Sequence, residues 1–159
     1  MNRIGFGTDI HRLVAGLPLI IGGVEIESDL GADGHSDADV LMHAAADAVL
    51  GALALGDLGT HFPNDDERWR NAESVQFLRF AVGLIKEKGY AVANIDSVID
   101  LEKPKLRPHI DAMRANLATV LEIDINQVSV KAKTGEKVDA VGEGRAVRAQ
   151  AIVLLEAKN

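Results

Sequence analysis

No cysteine occurs among the 159 residues. That excludes a disulfide framework, a cysteine-ligated zinc finger, an iron–sulfur cluster and a thiol nucleophile. Any site for a transition metal must therefore be built from histidine and carboxylate. Aromatic residues are scarce at 4 %, so the 47 % apolar content is carried by Ala, Val, Leu and Ile, which must fill the core. No apolar run approaches the roughly 20 residues of a membrane-spanning helix. The opening Met1-Asn2-Arg3-Ile4-Gly5 lacks the apolar stretch of a signal peptide. Positive charge is in deficit: 17 Lys and Arg stand against 24 Asp and Glu, a net charge of −7, which argues against a nucleic-acid partner. Repeats and low-complexity stretches are absent. At this length roughly 70% of the unfolded surface can be buried. The expectation is a single cytoplasmic domain over residues 1–159, with no nucleic acid and no membrane as partner.

Along the chain, polarity alternates over residues 2–11. Ile4, Phe6, Thr8 and Ile10 face one way and Gly5, Gly7, Asp9 and His11 the other, which predicts a strand. Residues 17–27 read as two short strands around Gly22-Gly23, 28–38 as a Gly- and Asp-rich loop, and 39–53 as a helix with Ser36 or Asp37 as N-cap. Residues 56–70 are rich in Gly, Pro, Asn and Asp and read as a loop. A stripe of Val75, Leu78, Val82 and Ile85, broadened by Phe77, Ala81 and Leu84, predicts a helix over 73–88 that Gly89 terminates. A strand at 92–101, a helix opened by Pro108 and buried through Ile110, Met113, Leu117 and Leu121, and strands at 127–134 and 145–157 follow. This order predicts an α+β fold: a single mixed β-sheet with helices packed on one face. The other face then needs a cover, which oligomerisation would supply.

Three constellations carry chemistry. Asp9-Ile10-His11 places a carboxylate and an imidazole on one strand face, able to converge on one ion or simply to cap and pack a strand end. His35-Ser36-Asp37-Ala38-Asp39 opens a helix, where anions bind readily. His43 lies about one turn further on, with Asp39 and Asp47 four residues either side. Either carboxylate could orient a metal-bound His43, or the stretch could be an ordinary capping box. Together Asp9, His11 and His43 would leave a zinc ion one open position. Lys131 to Lys137 offers lysines, a hydroxyl, a glycine and a carboxylate, suited to a diphosphate and a magnesium ion or to a charged turn. His61 and His109 are expected at the solvent surface.

The chain resembles the 2-C-methyl-D-erythritol 2,4-cyclodiphosphate synthase family nearly end to end. The resemblance lies in I-G-F-G-T-D-I-H, I-I-G-G-V, G-H-S-D-A-D-V-L-M-H-A-A-A-D-A-V-L-G-A, L-G-D-L-G-T-H-F-P, K-P-K-L-R-P-H-I and V-K-A-K-T-G-E-K. D-x-H combined with H-S-D-x-D-x-x-x-H is specific to that family. The resemblance implies a homotrimer whose sheets face a three-fold axis, with active sites at subunit interfaces. It implies closure of 4-diphosphocytidyl-2-C-methyl-D-erythritol 2-phosphate to the cyclodiphosphate with loss of CMP, in non-mevalonate isoprenoid synthesis.

By matched positions Asp9, His11 and His43 would hold zinc, with Ile10 beside the substrate. His35 and Ser36 would meet the attacking phosphate. Asp57, Leu58 and Gly59, with Phe62, Pro63, Asn64, Asp65 and Asp66, would line the erythritol pocket. Leu101, Glu102, Lys103, Pro104, Lys105, Leu106 and Arg107 would enclose cytosine, largely through backbone. Lys133, Thr134, Gly135 and Glu136 of a neighbouring subunit would meet the diphosphate, Glu136 on Mg²⁺ or Mn²⁺. His35 and Thr134 would be the catalytic hydrogen-bond donors.

Some positions depart from the family pattern. Asn64 stands where Asp is common, and Lys133 and Gly135 replace small hydroxyl residues. Ala140 stands at an often aromatic position, and the family's G-R-G-E-G reads Gly142-Glu143-Gly144-Arg145-Ala146, with the charges exchanged. If residues 143–145 are regular strand, Glu143 and Arg145 share a face at an axial cavity able to take a prenyl diphosphate. Two other readings of the same residues are a zinc-dependent phosphohydrolase and a non-catalytic trimeric nucleotide sensor.

Overall fold

The computed structural model describes residues 1–63 and 65–158. Its elements run β1 (Arg3–Ala15), β2 (Leu19–Ile21), β3 (Val24–Ile26), β4 (Leu30–Asp33), α1 (Val40–Ala52), α2 (Leu58–His61), α3 (Val75–Glu87), β5 (Tyr90–Asp100), α4 (Ile110–Leu121), β6 (Val128–Lys133), α5 (Asp139–Gly142) and β7 (Ala146–Ala157). Five strands form one mixed sheet in the order β4-β1-β7-β5-β6, and β2 and β3 pair separately as a hairpin. Only β5–β6 is parallel, and α4 provides the crossover that a parallel pair requires.

One sheet face is covered and the other is bare. On β7 the covered side carries Val147, Ala149, Ala151, Val153 and Leu155, all buried with α1 against them, while α3 packs on β5 and α4 on β6. On β1 the same side begins with Gly5 and Gly7. A Cβ at Gly5 would lie 1.8 Å from the Ala48 carbonyl oxygen, and one at Gly7 2.1 Å from that of Ala44. The glycines thus let the backbone of α1 lie directly on the strand, and the alanines at 44, 48 and 52 keep the helix side of the seam equally thin. The opposite face exposes Ile4 (72 %), Phe6 (58 %), Ile10 (53 %) and Ile152 (50 %), with Phe6 and Ile152 directly paired.

Several local expectations are corrected. The N-cap of α1 is Asp39, not Ser36 or Asp37. Its carboxylate accepts from Leu41 N and Met42 N and also from Gly22 N and Gly23 N, so it binds the hairpin to the helix. Residues 30–33, read as loop, extend the sheet by pairing with the end of β1, which itself runs to Ala15. Pro108 sits in a 3₁₀ turn, Arg107–His109, and α4 starts two residues later. His61 and His109 are half-buried rather than exposed, and His61 Nε2 donates to the Leu55 carbonyl at 2.8 Å. Glu143 ends α5 and Arg145 precedes β7, with Gly144 at φ +74° between them, so the two do not share a strand face. They nevertheless pair, Arg145 Nε to Glu143 Oε2 at 2.7 Å.

Candidate active site

Asp9 and His11 follow Gly5 and Gly7 on the covered face of β1, just where α1 begins. The close helix–strand seam brings His43, in the first turns of α1, against them. Asp9 Oδ2 lies 2.8 Å from His11 Nε2 and 3.0 Å from His43 Nδ1, and the two ring nitrogens are 3.2 Å apart. Burial opposes the charge on Asp9, but the hydrogen bonds and charges of His11 and His43 prevail and hold its carboxyl well below the usual range. Burial likewise opposes protonation of His11, and Asp9 with the Asp33 carbonyl outweighs it, pushing the imidazole up.

The far side of each ring is engaged as well. His11 Nδ1 donates to the Asp33 carbonyl at 3.1 Å, which turns Nε2 toward Asp9 and His43. His43 Nε2 meets Ser74 Oγ at 2.7 Å and Ser36 Oγ at 3.2 Å. Neither Asp39 nor Asp47 takes that position. Asp39 is consumed by its four backbone donors, and Asp47 Oδ1 accepts from Leu58 N at 2.8 Å. Asp47 is half-buried, and burial pushes its carboxyl up.

Three donor atoms, one from each of Asp9, His11 and His43, lie within 4.8 Å of one another. A metal ion bound at about 2.0–2.1 Å in tetrahedral geometry sets its ligand atoms about 3.3 Å apart, so spacings of 2.8–3.2 Å suit such an ion with little movement. The residues fit a metal with an open fourth position.

The cluster opens into a cavity of about 510 Å³. Of the residues expected there, Ile10, His35, Ser36, Asp57, Leu58, Gly59 and Phe62 line it. Asp57 caps α2, and donation from the Thr60 hydroxyl and N–H keeps its carboxyl low. Phe62 packs on Phe77 and Trp69, with ring centroids 4.6 and 4.8 Å away. Pro63 and Asp65 are exposed on the adjoining loop, and Asn64 lies outside the described residues. Asp66 reaches the site through its backbone: its carbonyl accepts from His35 Nε2 at 3.1 Å. Its carboxylate turns instead to Arg68, which holds it down to about 2.

The remaining candidates lie elsewhere on the chain. Glu102, Lys103, Pro104 and Lys105 line a second cleft of about 1100 Å³ with Lys137, Glu143 and residues 27–30. Leu101 and Leu106 point into the core, so only their backbone can face a ligand, while Arg107 is exposed. Lys133 ends β6, and Thr134, Gly135 and Glu136 lead on toward this cleft: Gly135 N donates to Glu102 Oε2 at 3.1 Å, and Thr134 Oγ1 to Glu136 Oε1 at 2.6 Å. Neither set lines the metal-cluster cavity. Sequence reasoning missed Trp69, Phe77 and Ser74. Phe77 was visible as part of the α3 stripe; Ser74 carried only the weak signal of a hydroxyl residue just before a helix.

Fold and site together define a class: an α+β protein with a carboxylate–bis-histidine candidate metal site beside a polar cavity. A family model described as the YgbB family matches residues 2–156. The chain is 53 % identical over 154 residues to the 2-C-methyl-D-erythritol 2,4-cyclodiphosphate synthase of Solibacter usitatus, covering 97 % of each. To the protein of that name from Salinibacter ruber it is 54 % identical over 154 residues, covering 97 % of this chain and 98 % of the relative. A solved 2C-methyl-D-erythritol-2,4-cyclodiphosphate synthase in a CDP-bound form superposes with a TM-score of 0.90 at 41 % identity, over 97 % of this chain and 100 % of that one. The chain belongs to the YgbB family.

Proposed function

We infer that the protein converts 4-diphosphocytidyl-2-C-methyl-D-erythritol 2-phosphate to 2-C-methyl-D-erythritol 2,4-cyclodiphosphate with release of CMP. The observation that carries this is the convergence of Asp9, His11 and His43 at the mouth of the cavity that also holds His35, Ser36 and Asp57. An oxygen of the 2-phosphate attacks the β-phosphorus, the bond from that phosphorus to the bridging oxygen breaks, and CMP leaves with the bond's electron pair. Nucleophile and leaving group both belong to the substrate, so the protein needs neither. Its work is positioning and stabilisation of phosphate charge. Zinc held by Asp9, His11 and His43 would supply Lewis-acid charge at the reacting phosphate when bound. Ser36 presents its hydroxyl and His35 its imidazole at the same wall. Asp57 and the Leu58-Gly59 backbone receive the erythritol hydroxyls.

The second cleft takes the cytidine, and residues 133–136, with Glu136 on Mg²⁺ or Mn²⁺ and Thr134 as donor, complete a neighbouring subunit's site. Two observations support a homotrimer whose sheets face its axis. The apolar face of Ile4, Phe6, Ile10 and Ile152 is uncovered, and exposed apolar patches of that kind mark association surfaces. The expected substrate residues also fall into two separate clefts of one chain. The Glu143–Arg145 pair at the cleft rim is the candidate contact for a prenyl diphosphate on the axis. No described helix is long and apolar enough to cross a membrane.

Phosphorus NMR on substrate with Zn²⁺ and Mg²⁺ tests the reading. Cyclodiphosphate and CMP are expected; orthophosphate would mean a phosphohydrolase, and an unchanged spectrum a binding protein. Light scattering in the same buffer should give the mass of three chains.

A further inference from the structure

Ser74 is fully buried, at 0 % exposure, and its hydroxyl does none of the work its position in the fold calls for. It is the N-cap residue of α3, where a serine hydroxyl ordinarily accepts an N–H of the first helical turn. Here the side chain makes no capping bond. It turns the other way, into a cluster formed by Asp37 Oδ1, His43 Nε2 at 2.7 Å and Ser36 Oγ at 3.3 Å. Asp37 takes up the slack, accepting from Ser74 N at 3.1 Å and from Asp39 N at 3.2 Å.

The polarity of this chain is determined by its end. A carboxylate only accepts, and a hydroxyl has one proton to give. The Ser74 proton goes to Asp37, so the Ser74 oxygen can only accept from His43, and His43 Nε2 must carry the hydrogen. With Nε2 donating to Ser74, Nδ1 is the ring atom that His43 turns toward Asp9 Oδ2 and His11 Nε2, at 3.0 and 3.2 Å, and the one a metal ion would take. We propose that Ser74 and Asp37 are a positioning pair for the metal cluster: through the path Asp37–Ser74–His43 they fix the one tautomer and ring orientation in which His43 can be a ligand. This rests on the reading of Asp9, His11 and His43 as a metal site. It assigns the orienting role to residues on the α1 approach and the α3 N-terminus, and not to the carboxylates at the flanking helical positions.

Co²⁺ serves as the probe, with affinity read by competition against a chromophoric chelator and geometry by the visible absorption of the bound ion. Histidine tautomers are read by long-range ¹H–¹⁵N NMR on metal-free protein. Ser74→Ala removes the acceptor and should weaken Co²⁺ binding by about 10–100-fold, the usual effect of losing such a partner. Asp37→Asn keeps the volume but lets the amide donate to Ser74 Oγ, which frees the Ser74 proton to point at His43. Metal affinity should fall, and the His43 Nε2 signal should shift toward that of a nitrogen without hydrogen. Ser74→Thr retains the hydroxyl and should restore most of the affinity. If Ser74→Ala and Asp37→Asn bind Co²⁺ as tightly as the unaltered protein and leave the His43 tautomer unchanged, the pair has no positioning role. Absence of Co²⁺ binding by the unaltered protein would instead overturn the metal reading, and the metal-free tautomer spectra would still decide whether Ser74 and Asp37 set the state of His43.

Discussion

Gly7→Ala is expected to disrupt the candidate metal site from a position outside its three proposed ligands. The added Cβ would sit 2.1 Å from the Ala44 carbonyl oxygen and 2.6 Å from Ala48 N, whereas ordinary contact begins near 3.4 Å. Both atoms are backbone, so no side chain can rotate out of the way. Relief requires α1 to lift by about 1.3 Å at that point, and His43 is the residue next to Ala44. A displacement of that size would open gaps of 2.8–3.2 Å between the ligand atoms, when a functional constellation tolerates only about 0.5 Å. Overpacking of this kind costs about 1–3 kcal/mol, against a gain of about 0.5–1 kcal/mol from stiffening the unfolded chain.

Gly83→Ala is the matched control: it makes the same chemical change in α3 with nothing within 4 Å of the new Cβ, so it should be neutral or stabilising by about 0.5–1 kcal/mol. Urea unfolding at one fixed protein concentration and zinc content by elemental analysis give the two readouts. A Gly7→Ala protein with unaltered unfolding midpoint and stoichiometric zinc would show that the helix–strand seam does not set the cluster geometry.

Other outcomes follow from the same structure. His35→Ala should lower kcat more than it raises KM in the phosphorus NMR assay, because an interaction that strengthens in the transition state acts on rate; a change in KM alone would make His35 a binding residue only. Glu136→Gln should raise the Mg²⁺ or Mn²⁺ concentration needed for half-maximal rate while zinc content stays constant; an unchanged metal titration would remove Glu136 from that ion. Asp47 has its carboxyl pushed up by burial, so its ionisation favours the unfolded chain and its cost appears as pH rises past the ordinary value of 3.8. Asp47→Asn, which keeps an acceptor for Leu58 N, should therefore stabilise the metal-free protein at neutral pH and not below pH 3.8. Equal stability gains at both ends of the pH range in urea titrations would contradict that origin.

Strand β1, helix α3 and the covered-face apolar stripe were legible because each buries one side and its period is written in side chains: Gly5, Gly7, Asp9 and His11 against Ile4, Phe6 and Ile10, and Val75, Leu78, Val82 and Ile85 every third or fourth residue. The candidate metal ligands were legible as two fragments, D-x-H and the helical His43, and the fold brings those three residues together. What local sequence could not give was the partner on the far side of His43. Helical spacing nominated Asp39 and Asp47, but spacing fixes only which residues share a helix face, while Ser74 arrives from an element more than thirty residues later. β4 was lost for a related reason. Leu30–Asp33 is only four residues long, and its Gly and Asp content is typical of turns; pairing with the end of β1 makes it a strand.

Charge explains why the chain would divide one site between two clefts. The cavity beside the cluster presents Asp9, Asp47 and Asp57 and, among the described residues, no lysine or arginine. A substrate bearing three phosphates would meet like charge there, and two unit charges 4 Å apart repel by about 4 kcal/mol at the effective dielectric of a protein surface. Histidines alone do not offset that, so the cavity accepts such a molecule only with added cations. The residues suited to the task, Lys103, Lys105 and Lys137, line the other cleft, with Lys133 at the end of the strand that leads to it. On the proposed function a metal ion would neutralise the phosphate end, and lysines brought by a second chain would neutralise the rest. On this accounting an isolated chain is a poor binder of its own substrate. Substitutions that add charge to the bare sheet face, such as Phe6→Asp, should therefore lower activity in proportion to the loss of assembled species in light scattering, although Phe6 contributes nothing to either cleft.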